Sequence, residues 1–210
     1  MSPRLLFALA LALVVLPLAA FAASPPQTED EKTFYALGLA ISQNLATFGL
    51  SEAELEMVKA GLTDGALGKP RAVELPAYLP KLQEMARARV AATAAAEKKV
   101  GAEYLAKAAA EKDAKTMPSG IVVTTLRPGT GAAPSATDKV KVHYHGTLTD
   151  GTVFDSSVQR GEPATFPLNG VIKCWTEGLQ QMKVGGKGRL VCPSSTAYGD
   201  RGAPPRIKPG

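Results

Sequence analysis

Apolar and polar positions keep a different rhythm in each part of this chain. Residues 5 to 15 are an unbroken apolar run, preceded by Arg4 and followed by Pro17 and the small-residue end Ala20-Phe21-Ala22. From Thr28 to about Lys69 the spacing is helical. Tyr35, Leu39, Ser42 and Leu45 fall on one stripe with Leu37 and Ile41 beside it, and Leu55, Val58 and Leu62 form a second. Recurrence every three or four residues predicts two amphipathic helices. Their starts are marked by capping boxes, in which a side-chain oxygen and a Glu three residues on satisfy each other's backbone donors. Thr28 pairs with Glu31, and Ser51 with Glu54, while Leu50 and Leu55 are placed to staple the second start. Gly49 stops the first helix, and Gly65 or Gly68 the second. Two short helices bury little surface by themselves, so a partner is expected, such as a second copy of the chain.

From Pro80 to about Lys115 the rhythm disappears into Ala, Lys, Glu and Arg, with Gly101 the only breaker. These are strong helix formers, and the stretch would reach on the order of 50 Å as one helix. Large apolar residues are too sparse for sustained heptads. A solvated spacer is the expectation. Pro118 and Gly120 in "MPSGI" close it and open a region of short β-type runs broken by Gly and Pro. Asp150-Gly151 predicts a tight hairpin between "VKVHYHGTLT" and "TVFDSS". One helical stretch interrupts, "VIKCWTEGLQQM", with Trp175, Leu179 and Met182 on one side. This C-terminal part is antiparallel α+β with one short helix.

Composition narrows the function. With 210 residues, 45% hydrophobic and 20% charged, the chain can bury a core. A net charge of +5 without a basic run excludes a dedicated nucleic-acid binder. Residues 1–22 read as a cleaved secretory signal, too short in apolar run for a spanning helix. An exported chain with two cysteines, Cys174 and Cys192, favours a disulfide; two unrelated buried thiols are the alternative. The two histidines, His143 and His145, stand two apart on an expected strand without an obvious third ligand, so no metal is assigned. "GTGAAP" and "VGGKGRL" lack phosphate-binding spacing and read as turns. No nucleophile–base pair is evident. In "DGTVFDSS", Phe154 beside Asp155 leaves three readings open: an acid/base, a metal ligand, or the wall of an apolar pocket.

"VHYHGTLTDGTVFDSS", "NGVIKCWTEGLQQMKVGGKGRLVCP" and "AYGDRGAPP" resemble the FK506-binding-protein family of peptidyl-prolyl isomerases. The helical layout before them is similar to the bacterial macrophage infectivity potentiator-like and FkpA-like subgroup. The resemblance implies a half-barrel antiparallel sheet wrapped on one short helix, with N-terminal helices that form a homodimer. It divides the chain into a signal peptide (1–22), a helical dimerisation region (23–79), a long connecting helix (80–117) and an isomerase domain (118–210). It implies a pocket of Tyr144, Phe154, Phe166, Val171 and Trp175, with Tyr198, Asp155 and the Ile172 amide acting on the substrate carbonyl. Asp155 is then an acceptor for Tyr144 or Arg160 and not an acid/base. No cofactor is implied. Proline-containing polypeptides are the implied clients, macrolides of the FK506 and rapamycin type the implied inhibitors. The implied location is the periplasm, with outer-membrane association or a surface virulence role left open.

Some residues depart from that pattern. Ala164 and Ala203 replace an aromatic and a histidine found in some relatives, and "IKC" replaces "IPG" or "IRG". The family continues after "IKPG" with a central strand, so the domain is expected to be incomplete at Gly210, and unstable and weakly active if that is its true terminus. A holdase chaperone that binds clients without turnover is the competing reading.

Overall fold

The computed structural model describes residues 24–210, so the expected signal segment and its cleavage point near Ala22 lie outside the described residues. The chain divides after Leu39 into two units. Helix α1 spans Glu29–Leu45 and starts in its capping box: Thr28 Oγ1 accepts the Glu31 N–H at 3.1 Å, and the Glu31 carboxylate accepts the Thr28 N–H at 2.9 Å. Gly49, at φ +52, ends the short turn that follows. Helix α2 spans Glu52–Ala66 and opens on the Ser51–Glu54 box. Neither helix buries a single residue. Tyr35 and Leu39 on the first stripe are 59% and 52% exposed, and Leu55 and Leu62 on the second 41% and 46%.

Helix α3 spans Leu75–Ala109, which corrects the expected stretch from Pro80 to about Lys115 at both ends. Pro76 stands at the second helical position, where a missing N–H costs nothing. Pro80 forfeits one further bond near an end whose ladder is already thin. Beyond the helix, Asp113 adopts φ +63, a conformation Asp tolerates. The chain reverses there, and Ala114–Thr116 becomes strand β1. The solvated-spacer reading also needs correcting. Arg89 of α3 donates to the Phe48 carbonyl at 2.6 Å and forms an ion pair with Glu54. Ala94 and Ala108 are buried, and Arg189 of the sheet contacts Glu111 at 2.7 Å and Tyr104 Oη at 3.0 Å. The alanines that made the stretch look uncommitted are small enough to let other backbone close on it.

The remaining elements are β2 (Val122–Arg127), β3 (Lys139–Val142), β4 (His145–Thr147), β5 (Val153–Ser156), α4 (Ser157–Arg160), β6 (Ala164–Pro167), α5 (Lys173–Leu179) and β7 (Lys187–Val191). All pairings are antiparallel, in the orders β1-β2-β7, β3-β6 and β4-β5. The expected continuous strand through "VKVHYHGTLT" is broken. β3 pairs β6, Val140 opposite Phe166, whereas β4 pairs β5, Gly146 opposite Asp155. The Asp150-Gly151 hairpin closes as its residues require: Leu148 N–H donates to the Thr152 carbonyl at 2.8 Å, Asp150 Oδ1 accepts the Thr152 N–H at 2.8 Å, and Gly151 takes φ +87.

The core sits between β2 and α5. Ile121, Val123 and Cys174 are buried together, with Met117, Ile172, Leu190 and Cys192 against them. Burying each large side chain is worth about 1.5–3 kcal/mol. Gly178 lets α5 close on β7, because a Cβ there would lie 2.8 Å from the Leu190 methyls. Cys174 and Cys192 are joined in a disulfide with Cα atoms 5.7 Å apart, tying the start of α5 to the residue after β7. Among the described residues no helix is long and apolar enough to cross a membrane.

Candidate active site

Five short segments converge on one open cleft. The break between β3 and β4 presents Tyr144, β5 presents Phe154 and Asp155, and β6 presents Phe166. The residues leading into α5 bring Val171 and Ile172, and its first turn brings Trp175. Tyr198 arrives on the loop after β7. All eight line the same cleft, half-buried except Tyr198, which is 38% exposed.

The rings form two groups. Tyr144, Phe166 and Trp175 meet edge-to-face in a triangle, with centroids 5.1 Å apart for Tyr144–Trp175, 5.7 Å for Phe166–Trp175 and 6.0 Å for Tyr144–Phe166. Phe154 and Tyr198 form a second edge-to-face pair at 6.3 Å. Such arrangements match the ring quadrupoles and hold each ring by its neighbours. Gly146 makes room for Phe154: a Cβ there would stand 2.6 Å from Cζ of the ring.

Among these eight residues the one carboxylate, Asp155, is engaged through both oxygens. The Tyr144 hydroxyl donates to Asp155 Oδ2 and the Arg160 guanidinium donates to Asp155 Oδ1. Arg160 Nη2 donates to Tyr144 Oη at 2.8 Å, and its guanidinium lies 5.5 Å from the Tyr144 ring centroid. The hydrogen bond from Tyr144, then that from Arg160, holds the Asp155 carboxyl below its ordinary range, against a smaller opposing effect of burial. Burial, and next the bond to Asp155, pushes the Tyr144 hydroxyl up. Asp155 therefore stays ionised near neutral pH and works as an acceptor; a proton donor needs the opposite shift.

The two histidines do not act as a pair. His143 Nδ1 lies 3.3 Å from Ser157 Oγ and His145 Nδ1 lies 2.9 Å from Ser156 Oγ. Buried Ser157 also accepts the Tyr144 N–H at 2.7 Å, so these serines fix the backbone on which Tyr144 sits. Among the described residues no group of three His, Cys, Asp or Glu could hold a metal. The Ile172 carbonyl accepts from Trp175 and Thr176, while its N–H donates to no described residue. The Tyr198 hydroxyl likewise has no described partner. The cleft thus offers apolar walls and two free donors.

Arg160, expected as a donor to Asp155, is returned to the carboxylate by the one short turn of α4. Another supporting residue carries no plain sequence signal. Arg206 donates to the Phe154 carbonyl at 3.1 Å from 52 residues away, and nothing local predicts that.

Comparison with known proteins agrees with the geometry. Residues 131–210 match the family model described as FKBP-type peptidyl-prolyl cis-trans isomerase, and residues 30–122 match the domain amino terminal to it. The chain is 45% identical to the FKBP-type peptidyl-prolyl cis-trans isomerase FkpA of Aeromonas hydrophila, over 83% of this chain and 69% of that one. It is 41% identical to the FKBP-type 22 kDa peptidyl-prolyl cis-trans isomerase of Escherichia coli, over 87% and 90%. The crystal structure of FkpA from Escherichia coli superposes with a TM-score of 0.65 at 37% identity, covering 88% of this chain and 92% of that one.

Proposed function

The chain belongs to the FKBP-type peptidyl-prolyl cis-trans isomerases, and we propose that it rotates X-Pro bonds of exported polypeptides in the cleft between Trp175 and Tyr198. The observation that carries this reading is the cleft's inventory: five aromatic rings, two unpartnered donors, and one carboxylate already occupied.

That inventory suits a reaction without a covalent step. The barrier to peptide rotation is about 18–20 kcal/mol, held up by amide resonance. X-Pro bonds populate both isomers and exchange over tens to hundreds of seconds. Water stabilises the charge-separated resonance form that keeps the amide planar. Taking the imide out of water onto Tyr144, Phe166 and Trp175 weakens that form, so the C–N bond twists more easily. The prolyl ring rests against Phe154 and the aromatic triangle. The Tyr198 hydroxyl and the Ile172 amide donate to carbonyls of the twisted chain more favourably than to the planar one. Interactions stronger in the transition state are those that accelerate; each tenfold in rate requires about 1.4 kcal/mol of such difference. Asp155 and Arg160 keep Tyr144 in place. FK506- and rapamycin-type macrolides fit the same cleft as inhibitors.

Other parts of the chain extend the proposal. Residues 1–22 direct export to the periplasm, where the Cys174–Cys192 bond can form. Phe34, Tyr35, Leu37 and Ile41 on α1 are exposed apolar residues, as are Leu55, Met57 and Leu62 on α2, and each set suits a homodimer contact within the region 23–79. Residues 118–210 carry the isomerase site, joined to that region by α3.

The test uses Trp175, the chain's only tryptophan, as a reporter. A macrolide titrated into the protein should change Trp175 emission and abolish acceleration of a proline peptide along one curve. Full acceleration at saturated emission would place turnover outside this cleft.

A further inference from the structure

The segment from Tyr198 to Gly210 forms a closed ring of backbone. Gly202 N–H donates to the Tyr198 carbonyl at 3.2 Å, Ala203 and Ile207 exchange bonds of 2.9 and 3.0 Å, and Gly210 N–H returns to the Gly199 carbonyl at 3.0 Å. A ring of this kind moves as a unit, carrying Tyr198 with it. Charged side chains attach it on two sides. On one, Arg206 reaches to the Phe154 carbonyl at 3.1 Å. On the other, α3 supplies two oppositely directed ion pairs from adjacent residues: Glu97 to Lys208 at 2.9 Å and Lys98 to Asp200 at 2.5 Å. Buried Ala94, one turn earlier on α3, abuts the backbone of Gly210. The Glu97 carboxylate pushes the Lys208 ammonium up, so that pair stays charged at ordinary pH.

Among the described residues Tyr198 has one ring contact, to Phe154. Its place over the cleft is therefore set by the attachments of the ring that carries it. We propose that Glu97, Lys98 and Arg206 are positioning residues for isomerisation: they clamp the Tyr198–Gly210 ring between α3 and β5, so that the long helix determines where the Tyr198 hydroxyl meets the substrate. The proposal rests on the reading of Tyr198 as a site residue. It makes α3 a working part of the isomerase domain as well as the connection to the N-terminal helices. The crossed signs also define one seating: sliding the ring by a residue along α3 would bring like charges together.

The experiment is a charge-swap cycle in the full chain. Lys98→Glu and Asp200→Lys, each alone, should lower kcat/KM for a proline tetrapeptide by about two- to fivefold, the range an exposed ion pair's coupling spans. The double swap should recover most of the loss. The same pattern is expected for Glu97→Lys with Lys208→Glu. The loss should lie mainly in kcat, since the walls that bind the prolyl ring are untouched. Nuclear Overhauser contacts between the Phe154 and Tyr198 rings should weaken in the single variants and return in the double. Both groups of the first pair are half or more exposed, so melting temperature should stay within a degree or two and serves as the folding control. Single variants with wild-type kcat/KM and unchanged ring contacts would overturn the proposal, as would a double variant no better than either single. Tyr198→Phe in the same series separates the two readings. If it keeps full activity, Tyr198 is not a site residue, while the ring contacts still decide whether the clamp exists.

Discussion

Replacing Gly146 by Ala should damage catalysis as well as stability, and the structure sets the scale. The added methyl would stand 2.6 Å from Cζ of Phe154 and 3.0 Å from both Cε atoms. Comfortable carbon contacts begin near 3.5 Å, so the ring must withdraw by roughly 1 Å. It cannot withdraw freely, because its other side meets Tyr198 at 6.3 Å between centroids. Forcing one methyl into a packed site costs about 1–3 kcal/mol, and a 1 Å misplacement of a positioning group can cost on the order of 100-fold in rate. The expected result is a kcat/KM reduced about 10- to 100-fold in a protein that still folds cooperatively. The assay is the cis-to-trans rate of a proline tetrapeptide, followed beside a thermal melt. Wild-type kcat/KM in Gly146→Ala would refute the reasoning, because Phe154 could not then be seated as described.

Three further outcomes follow from other parts of the chain. Gly101→Ala, in mid-helix with nothing within 4 Å of the new methyl, should stabilise the protein by about 0.5–1 kcal/mol with unchanged activity, read from denaturant midpoints. Reducing Cys174–Cys192, whose partners are 18 residues apart, should cost about 2–4 kcal/mol; a melt with and without reductant measures it, and an unchanged midpoint with both thiols titrating would contradict it. Arg89, with help from Ser51, lowers the Glu54 carboxyl to about 2. A depressed folded-state value means that this link stabilises fully above the unfolded carboxylate range and is lost as pH falls from about 4.5 towards 2. Protection of the α2 amides, corrected for the intrinsic pH dependence of exchange, should therefore fall over that window, and fall less in Arg89→Met, where only the Ser51 contribution remains.

Local chemistry was legible where a few adjacent residues decide it. Thr28–Glu31 and Ser51–Glu54 announce helix starts because both halves of each capping box lie within one turn. Asp150-Gly151 announces a hairpin because only such residues accept its backbone angles. Helix α3 begins at Leu75, ahead of the expected Pro80, because the first turns of a helix tolerate Pro76 and Pro80. Strand partners were illegible. "VKVHYH" is one β-type run in sequence, and only tertiary pairing assigns its first half to β6 and its second to β5. The site shows the same division. Its aromatic residues stand out as motif positions, whereas Gly146 and Arg206, which seat Phe154, act across gaps of 8 and 52 residues. Packing of α3 against the sheet was hidden by its composition, because alanines and charges carry little hydrophobic pattern even when they make specific contacts.

The most direct measurement is the isomerisation rate of an Ala-Leu-Pro-Phe peptide with the intact protein, beside a variant carrying Tyr198→Phe and Asp155→Ala together. Removing one donor and the acceptor that orients Tyr144 should take away most of the acceleration, while far-ultraviolet dichroism shows the fold retained. An unaltered rate in the folded double variant would contradict the account, since catalysis would then owe nothing to the Tyr198 donor or to the carboxylate that orients Tyr144.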